Sequence, residues 1–177
     1  MRRARTRAVR NRSLSAPAQR AERGANLVEF ALVVPIFLLL VMGIIDFSMA
    51  FNDYNRVRSG VAEATRQGVV ANFSAAGCAE ADSSSNLVCI TKDRIGLDPA
   101  GTRVKILLPD GTYDVGDPLR VCAMQDVDSI TGMFDVILDA RVATSSIDMR
   151  IEKLDDADPV TDLEETPLSG ESWSWCT

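Results

Sequence analysis

The feature that most constrains this chain is a run of sixteen residues without a charge, FALVVPIFLLLVMGII, at positions 30–45. Leu27, Val28 and the stretch 47–51 extend it to about 25 residues, or ~37 Å of helix, enough to cross a bilayer with some tilt. Glu29 and Asp46 stand near its two ends. A core helix that is apolar on every side needs a large protein around it, and a chain of 177 residues leaves too little for that. The run therefore reads as a transmembrane helix. Charge supplies its direction. Residues 1–24 carry eight Arg and one Glu, whereas residues 52–177 carry 11 basic and 22 acidic side chains. The excess of Arg before the span keeps that end in the cytoplasm and sends the acidic remainder across the membrane.

Three rival readings use the same residues. A basic leader can bind nucleic acid, but here the Arg residues lie among Ser, Ala and Pro with no aromatic residue and no helical stripe. A cleaved secretory signal is the stronger rival, with Ser48-Met49-Ala50 resembling the small-x-small pattern before a cleavage site. Against it stand the length of the apolar run, Glu29 at its start, and helical periodicity that continues past Ala50. Arg2-Arg3 is followed by no twin-arginine motif. The chain also contains no histidine, which removes the commonest general base and metal ligand. No phosphate-binding loop or catalytic triad can be assembled, so no catalytic residue, cofactor or metal is expected and the chain is not read as an enzyme.

The junction between leader and span reads Arg23-Gly24-Ala25-Asn26-Leu27-Val28-Glu29-Phe30. Gly24, followed five residues later by Glu29-Phe30 at the mouth of an apolar helix, resembles the processing site of type IV prepilins. The longer string through Pro35, then Gly43-Ile44-Ile45-Asp46-Phe47 and Ala64-Thr65-Arg66-Gln67-Gly68, is similar to the TadE-like pilins of tight-adherence (Flp) pili. The resemblance is strong over residues 24–68 and loose beyond 70. It implies cleavage between Gly24 and Ala25 by a prepilin peptidase. The implied partners are a major Flp-type pilin, a second TadE/TadF-like pseudopilin, and an inner-membrane assembly platform driven by an ATPase; the implied role is adhesion. Physics gives Glu29 a meaning of its own. A carboxylate in apolar surroundings is costly unless paired, and cleavage would create a cation on Ala25 for it to meet. The plainer reading puts Glu29 at headgroup level, where a helix N-terminus favours an anion. Phe30 belongs to the same assembly site. Asp46 reads as an interfacial charge, and Pro35 and Gly43 are tolerable within a membrane helix.

Beyond the span, Tyr54, Val57, Val61, Ala64 and Gly68 recur at helical spacing, which predicts that the helix runs to about Ala71 and packs on the chain's own sheet. Residues 74–101 read as a loop with a short element near 87–90. Strand alternation appears at Val104, Ile106 and Leu108, then at Leu119, Val121 and Ala123, with a turn at Pro109-Asp110-Gly111 between them. Val136, Leu138, Ala140 and Val142 form a third apolar set, and Ile147, Met149 and Ile151 continue at opposite parity. That shift predicts a bulge or break at Ser145-Ser146. The tail, with eight acidic residues against one Lys in 152–177, reads as mostly irregular.

Cys78, Cys89, Cys122 and Cys176 all lie on the exported side and read as two disulfides, with three connectivities open. Cys78–Cys89 with Cys122–Cys176 is the expected pairing, because the second bridge would pin the tail. Zinc would want CxxC or His, and neither is present. Asp110, Asp114 and Asp117 lack calcium-loop spacing. Leu108-Pro109-Asp110-Gly111-Thr112 has its last two residues reversed for a sortase signal. Trp173 and Trp175 read as cover for a disulfide rather than as an adhesive surface.

The expectation is an α+β protein: a long N-terminal transmembrane helix continuing into a small exported domain with an antiparallel sheet, disulfide-bonded. Its parts are a basic leader (1–24), span (25–51), helix extension (52–73), α+β domain (74–151) and acidic tail (152–177). It would sit single-pass in a bacterial cell membrane with its N-terminus cytoplasmic. The expected role is that of a structural minor pilin, a component of pilus assembly with no nucleic-acid partner. A permanently anchored extracellular binding protein is the alternative.

Overall fold

A computed structural model describes residues 18–73, 77–127, 129–132, 141–154 and 158–177. Helix α1 runs Ala18–Val69, followed by helix α2 (Ser83–Ile95) and strands β1 (Thr102–Leu107), β2 (Pro118–Asp126), β3 (Val142–Arg150) and β4 (Leu163–Glu164). The four strands form one antiparallel sheet in the order β3-β2-β1-β4. The protein is thus mixed α+β with a long apolar N-terminal helix. The chain divides into two compact units, residues 1–41 and 42–177.

Within the second unit, α1 presents a stripe to the sheet. Val57, Val61 and Ala64 are fully buried and Val69 nearly so. They share a core with Leu87, Ile90 and Ile95 of α2 and with Val104, Ile106, Leu119 and Val121 of the strands. Each such aliphatic side chain contributes about 1.5–3 kcal/mol on burial. Tyr54 departs from the predicted stripe and is 43% exposed. Donors from elsewhere in the domain help close the C-terminus of α1: the Tyr113 hydroxyl to the Gly68 carbonyl at 2.6 Å, and the Glu152 and Lys153 amides to that of Val69 at 2.8 and 3.0 Å. These satisfy carbonyls that a helix end otherwise leaves without partners. The helix stops at Val69, where a turn through Ala71 begins.

The short element predicted near 87–90 within the 74–101 loop is longer than expected: it is helix α2, 13 residues long. Its composition hid a good helix boundary at each end. Asp82 is the N-cap, accepting from the Ser85 amide at 2.8 Å and its hydroxyl at 2.8 Å. The Ser85 amide, then its hydroxyl, hold the Asp82 carboxyl below the usual carboxylate range. Gly96 ends the helix in the left-handed region, φ 64°, with its amide on the Lys92 carbonyl. Lys92 and Arg94 sit in the last turn, where the helix dipole favours cations.

Strands β1 and β2 match the predicted alternation, and Gly111 donates to the Leu108 carbonyl at 2.8 Å in the predicted turn. The bulge predicted at Ser145-Ser146 does not exist. Pairing of β2 with β3 is unbroken from Asp126↔Val142 to Pro118↔Arg150. Val142 faces the opposite side of the sheet from Ile147 and Met149, and that side is also covered. There Cys122, Met124, Leu168, Trp173 and Cys176 form a second small core against which Val142 packs. Val136, Leu138 and Ala140 lie outside the described residues.

The tail builds this second core. It has little regular structure, as its composition suggested, yet Leu163 pairs with Ile106 and Glu164 with Lys105 to add β4 beside β1. The bridge Cys122–Cys176 ties the chain end to β2. Cys78–Cys89 joins the segment before α2 to the helix itself. Trp173 is buried, donates its indole N–H to the Glu165 carbonyl at 2.9 Å, and packs on Trp175 with ring centroids 5.6 Å apart. Arg120 on β2 holds Asp148 on β3 through hydrogen bonds of 2.6 and 2.8 Å, which keep that carboxyl below its usual range.

Candidate functional site

The surface with the strongest functional signature is the apolar part of α1. Phe30, Leu32, Ile36 and Phe37 are 61–70% exposed, and the pattern continues through Ile44, Phe47 and Phe51. A soluble protein rarely leaves so long a contiguous apolar surface uncovered. The helix Asn26–Val69 is long and apolar enough to cross a membrane, and only 6% of its most apolar window is buried. Such a helix suits a membrane anchor.

Along this surface the polar residues differ in their surroundings. Gly24, Glu29 and Phe30 are exposed; Gly24 lies within helix α1, and a Cβ there would meet nothing within 4 Å. Pro35 lies inside the continuous helix. Asp46, expected to be an interfacial charge, is 1% exposed. Its carboxylate accepts from the Ser129 hydroxyl at 2.8 Å, the Thr131 hydroxyl at 2.6 Å and the Thr131 amide at 3.1 Å. Gly132 in turn donates its amide to Ser129 Oγ at 3.0 Å. A loop between β2 and β3 therefore clasps the helix at a residue some 83 positions earlier.

The clasp belongs to a longer seam. Gly43 and Asp46 are buried, Ala50 and Asp53 half-buried, and Val57 buried again. This spacing of three and four is one face of a helix. The same turns carry exposed Ile44, Ile45, Phe47 and Phe51 on their other faces. Sequence reasoning missed the clasp because its donors are ordinary Ser and Thr far away in the chain. The one available signal was a carboxylate with apolar residues on both sides, which demands a partner.

Residues 24–66 match the family model described as TadE-like protein. This segment is TadE-like. The match agrees with a TadE-like protein of the tight-adherence (Tad) pilus system, and it covers Gly24, Ala25, Glu29, Phe30 and Asp46. No curated protein and no solved structure matches the chain. The TadE-like segment ends before α2 and the sheet, so the rest of the domain is described by its own geometry alone.

That geometry includes a groove of about 690 Å³ between α2 and the tail, lined by Val88, Cys89, Lys92, Leu97, Leu163 and Glu165 among others. Lys92 and Glu165 face each other there at 2.7 Å. Glu165 Oε2 also accepts from the Val104 amide at 2.8 Å, so the pair serves to fasten the tail to β1. Among the described residues, no group of three or more Asp, Glu or Cys side chains is placed to hold a metal ion. Asp117 accepts from the Thr112 hydroxyl at 2.6 Å within its turn, rather than converging with Asp110 and Asp114.

Proposed function

We propose that this protein is a minor pilin of a tight-adherence pilus, made as a prepilin, cut after Gly24, and built into an assembly through its N-terminal helix. The observation that carries the reading is the exposed apolar surface of α1 lying within the TadE-like match. A helix of this kind serves two purposes in succession. In the bilayer its side chains meet lipid. In an assembly the same side chains meet the helices of other subunits, and Glu29 requires a cation once lipid headgroups and water are gone. Cleavage supplies that cation on Ala25. The TadE-like family is structural rather than a known enzyme class, in keeping with this role.

The partners that follow are a prepilin peptidase facing the basic leader, a major pilin, a second pseudopilin, and the inner-membrane platform that moves subunits out of the bilayer. The leader stays cytoplasmic, and the disulfide-bonded domain lies on the oxidising side, where its bridges persist. Mass spectrometry of the membrane-bound protein tests the reading. The mature chain begins at Ala25 if it is correct. A chain that retains Met1 is the permanently anchored binding protein instead, and one that begins at Phe51 is a secreted domain.

A further inference from the structure

The domain and the apolar surface of α1 overlap along the helix. The domain covers one face of α1 from Gly43 onward, while large apolar side chains remain exposed on the other faces as far as Phe51. Gly43 to Phe51 is eight residues, or about 12 Å of helix, which exceeds the ~5–8 Å of one headgroup layer. Asp46 lies within these same turns, three residues past Gly43. The loop that clasps Asp46 lies at the same level. Ile130 stands between the two clasping residues, Ser129 and Thr131, and is 65% exposed. The polar side chains on either side are turned onto the carboxylate, and the apolar one is left facing outward.

We infer that the 129–132 loop is a second membrane contact: Ile130 seats in the outer lipid interface beside α1, and Asp46 is the positioning residue that holds it there. This rests on α1 being a membrane anchor. The occupant is lipid because the exposed side chains at this level of α1, Ile44, Ile45, Phe47 and Phe51, continue the surface proposed to span the bilayer. The clasp also resolves the presence of a carboxylate so near hydrocarbon, since three donors replace the water it would otherwise require.

The test places a benzoylphenylalanine photoprobe in the full chain, reconstituted in vesicles of phosphatidylethanolamine and phosphatidylglycerol, and measures phospholipid adducts by mass spectrometry. Ile44 is the positive position. Val115 is the negative one: it is 62% exposed but lies near Tyr113, which contacts Gly68, about 33 Å along the helix from Asp46. A probe at Ile130 forms lipid adducts about tenfold above one at Val115, because lipid contact ends with the headgroup layer. Asp46→Ala returns the Ile130 yield to the Val115 level with both disulfides intact, and Asp46→Asn, which keeps one acceptor oxygen, restores part of it. Labelling at Ile44 but not Ile130 overturns the second contact and leaves the anchor standing. Labelling at neither position overturns the anchor as well. A cross-link from Ile130 to a second copy, in place of lipid, assigns the loop to a protein interface and overturns the proposal. Ile130 labelling unchanged in Asp46→Ala removes Asp46 from its positioning role.

Discussion

Gly60 sits where α1 passes closest to the end of α2. A Cβ there would lie 2.6 Å from Ile95 Cγ1, 2.7 Å from its backbone nitrogen and 2.8 Å from its Cα. Two of those atoms are backbone and cannot rotate aside, so Gly60→Ala must push the two helices apart. Overpacking of this kind costs about 1–3 kcal/mol, against about 1 kcal/mol gained from replacing Gly with Ala in a helix. The expected result is a net loss of up to about 2 kcal/mol, measured by denaturation of the full chain in detergent with Trp173 fluorescence as probe. Gly24→Ala is the control, since its site is open; it leaves that denaturation curve in place. Unchanged stability of Gly60→Ala would mean that α2 yields easily. The two glycines look alike in the sequence and do opposite things. One is needed because another backbone is close, and the other has open space around it.

At the scale of elements, the tail is the part whose order has least to do with propensity. It contributes a two-residue strand, a Trp seated beneath it and the Cys122–Cys176 bridge, which spans 54 positions. Closing a loop of that length stabilises by about 4 kcal/mol in the chain-entropy account. Replacing both cysteines by Ser is therefore expected to free the tail before it unfolds the sheet, because the core with α1 and α2 lies on the other face. Trp173 emission should shift to the red and protease should cut within 165–177, while Cys78–Cys89 remains closed. A tail that stays resistant would be held by β4 pairing and the Lys92–Glu165 contact alone. The same element explains what a single sequence conveyed and what it did not. Alternation revealed β1, where one face is buried and the other half-buried, and the inner face of β2, whose other face is also buried at Cys122 and Met124. At Val142 the alternation reversed parity, and a break seemed necessary only because the second face was assumed wet. The cover for that face comes from residues 168–176, beyond any local window. In α2, Ser83, Ser84 and Ser85 disguised a helix, since Ser suits caps and turns as readily as helix starts. The Asp82 cap and Gly96 stop were visible as residue types, but their roles depend on packing of Leu87 and Ile90. At the candidate site the TadE-like pattern of residues 24–66 was legible because it is local, and the Asp46 clasp was not because its donors are remote.

For the molecule as a whole, the two units carry different kinds of stability. Residues 42–177 hold their own core and two disulfides. Among the described residues, none of 27–41 belongs to that core, and the large apolar side chains of this stretch are exposed. Glu29 is where the bilayer and an assembly of subunits are distinguished. Glu29→Gln keeps the side-chain size and deletes the charge, so insertion into the bilayer should be unchanged or slightly easier. Glu29 is exposed, so both disulfides and the denaturation curve should match the wild type. Assembly is different. If the Glu29 carboxylate meets the amino group of Ala25 when helices pack, the variant leaves that cation buried and unpaired. Such a loss costs about 3–5 kcal/mol, equivalent to a hundredfold or more in an association equilibrium. The variant is therefore expected to be synthesised, cut at Gly24 and stable in the membrane, yet absent from complexes. Co-purification with the major pilin, compared between wild type and Glu29→Gln at equal membrane abundance, reads this directly. Equal recovery would make Glu29 a headgroup-level charge at a helix N-terminus, and packing of α1 would then depend on its apolar side chains alone.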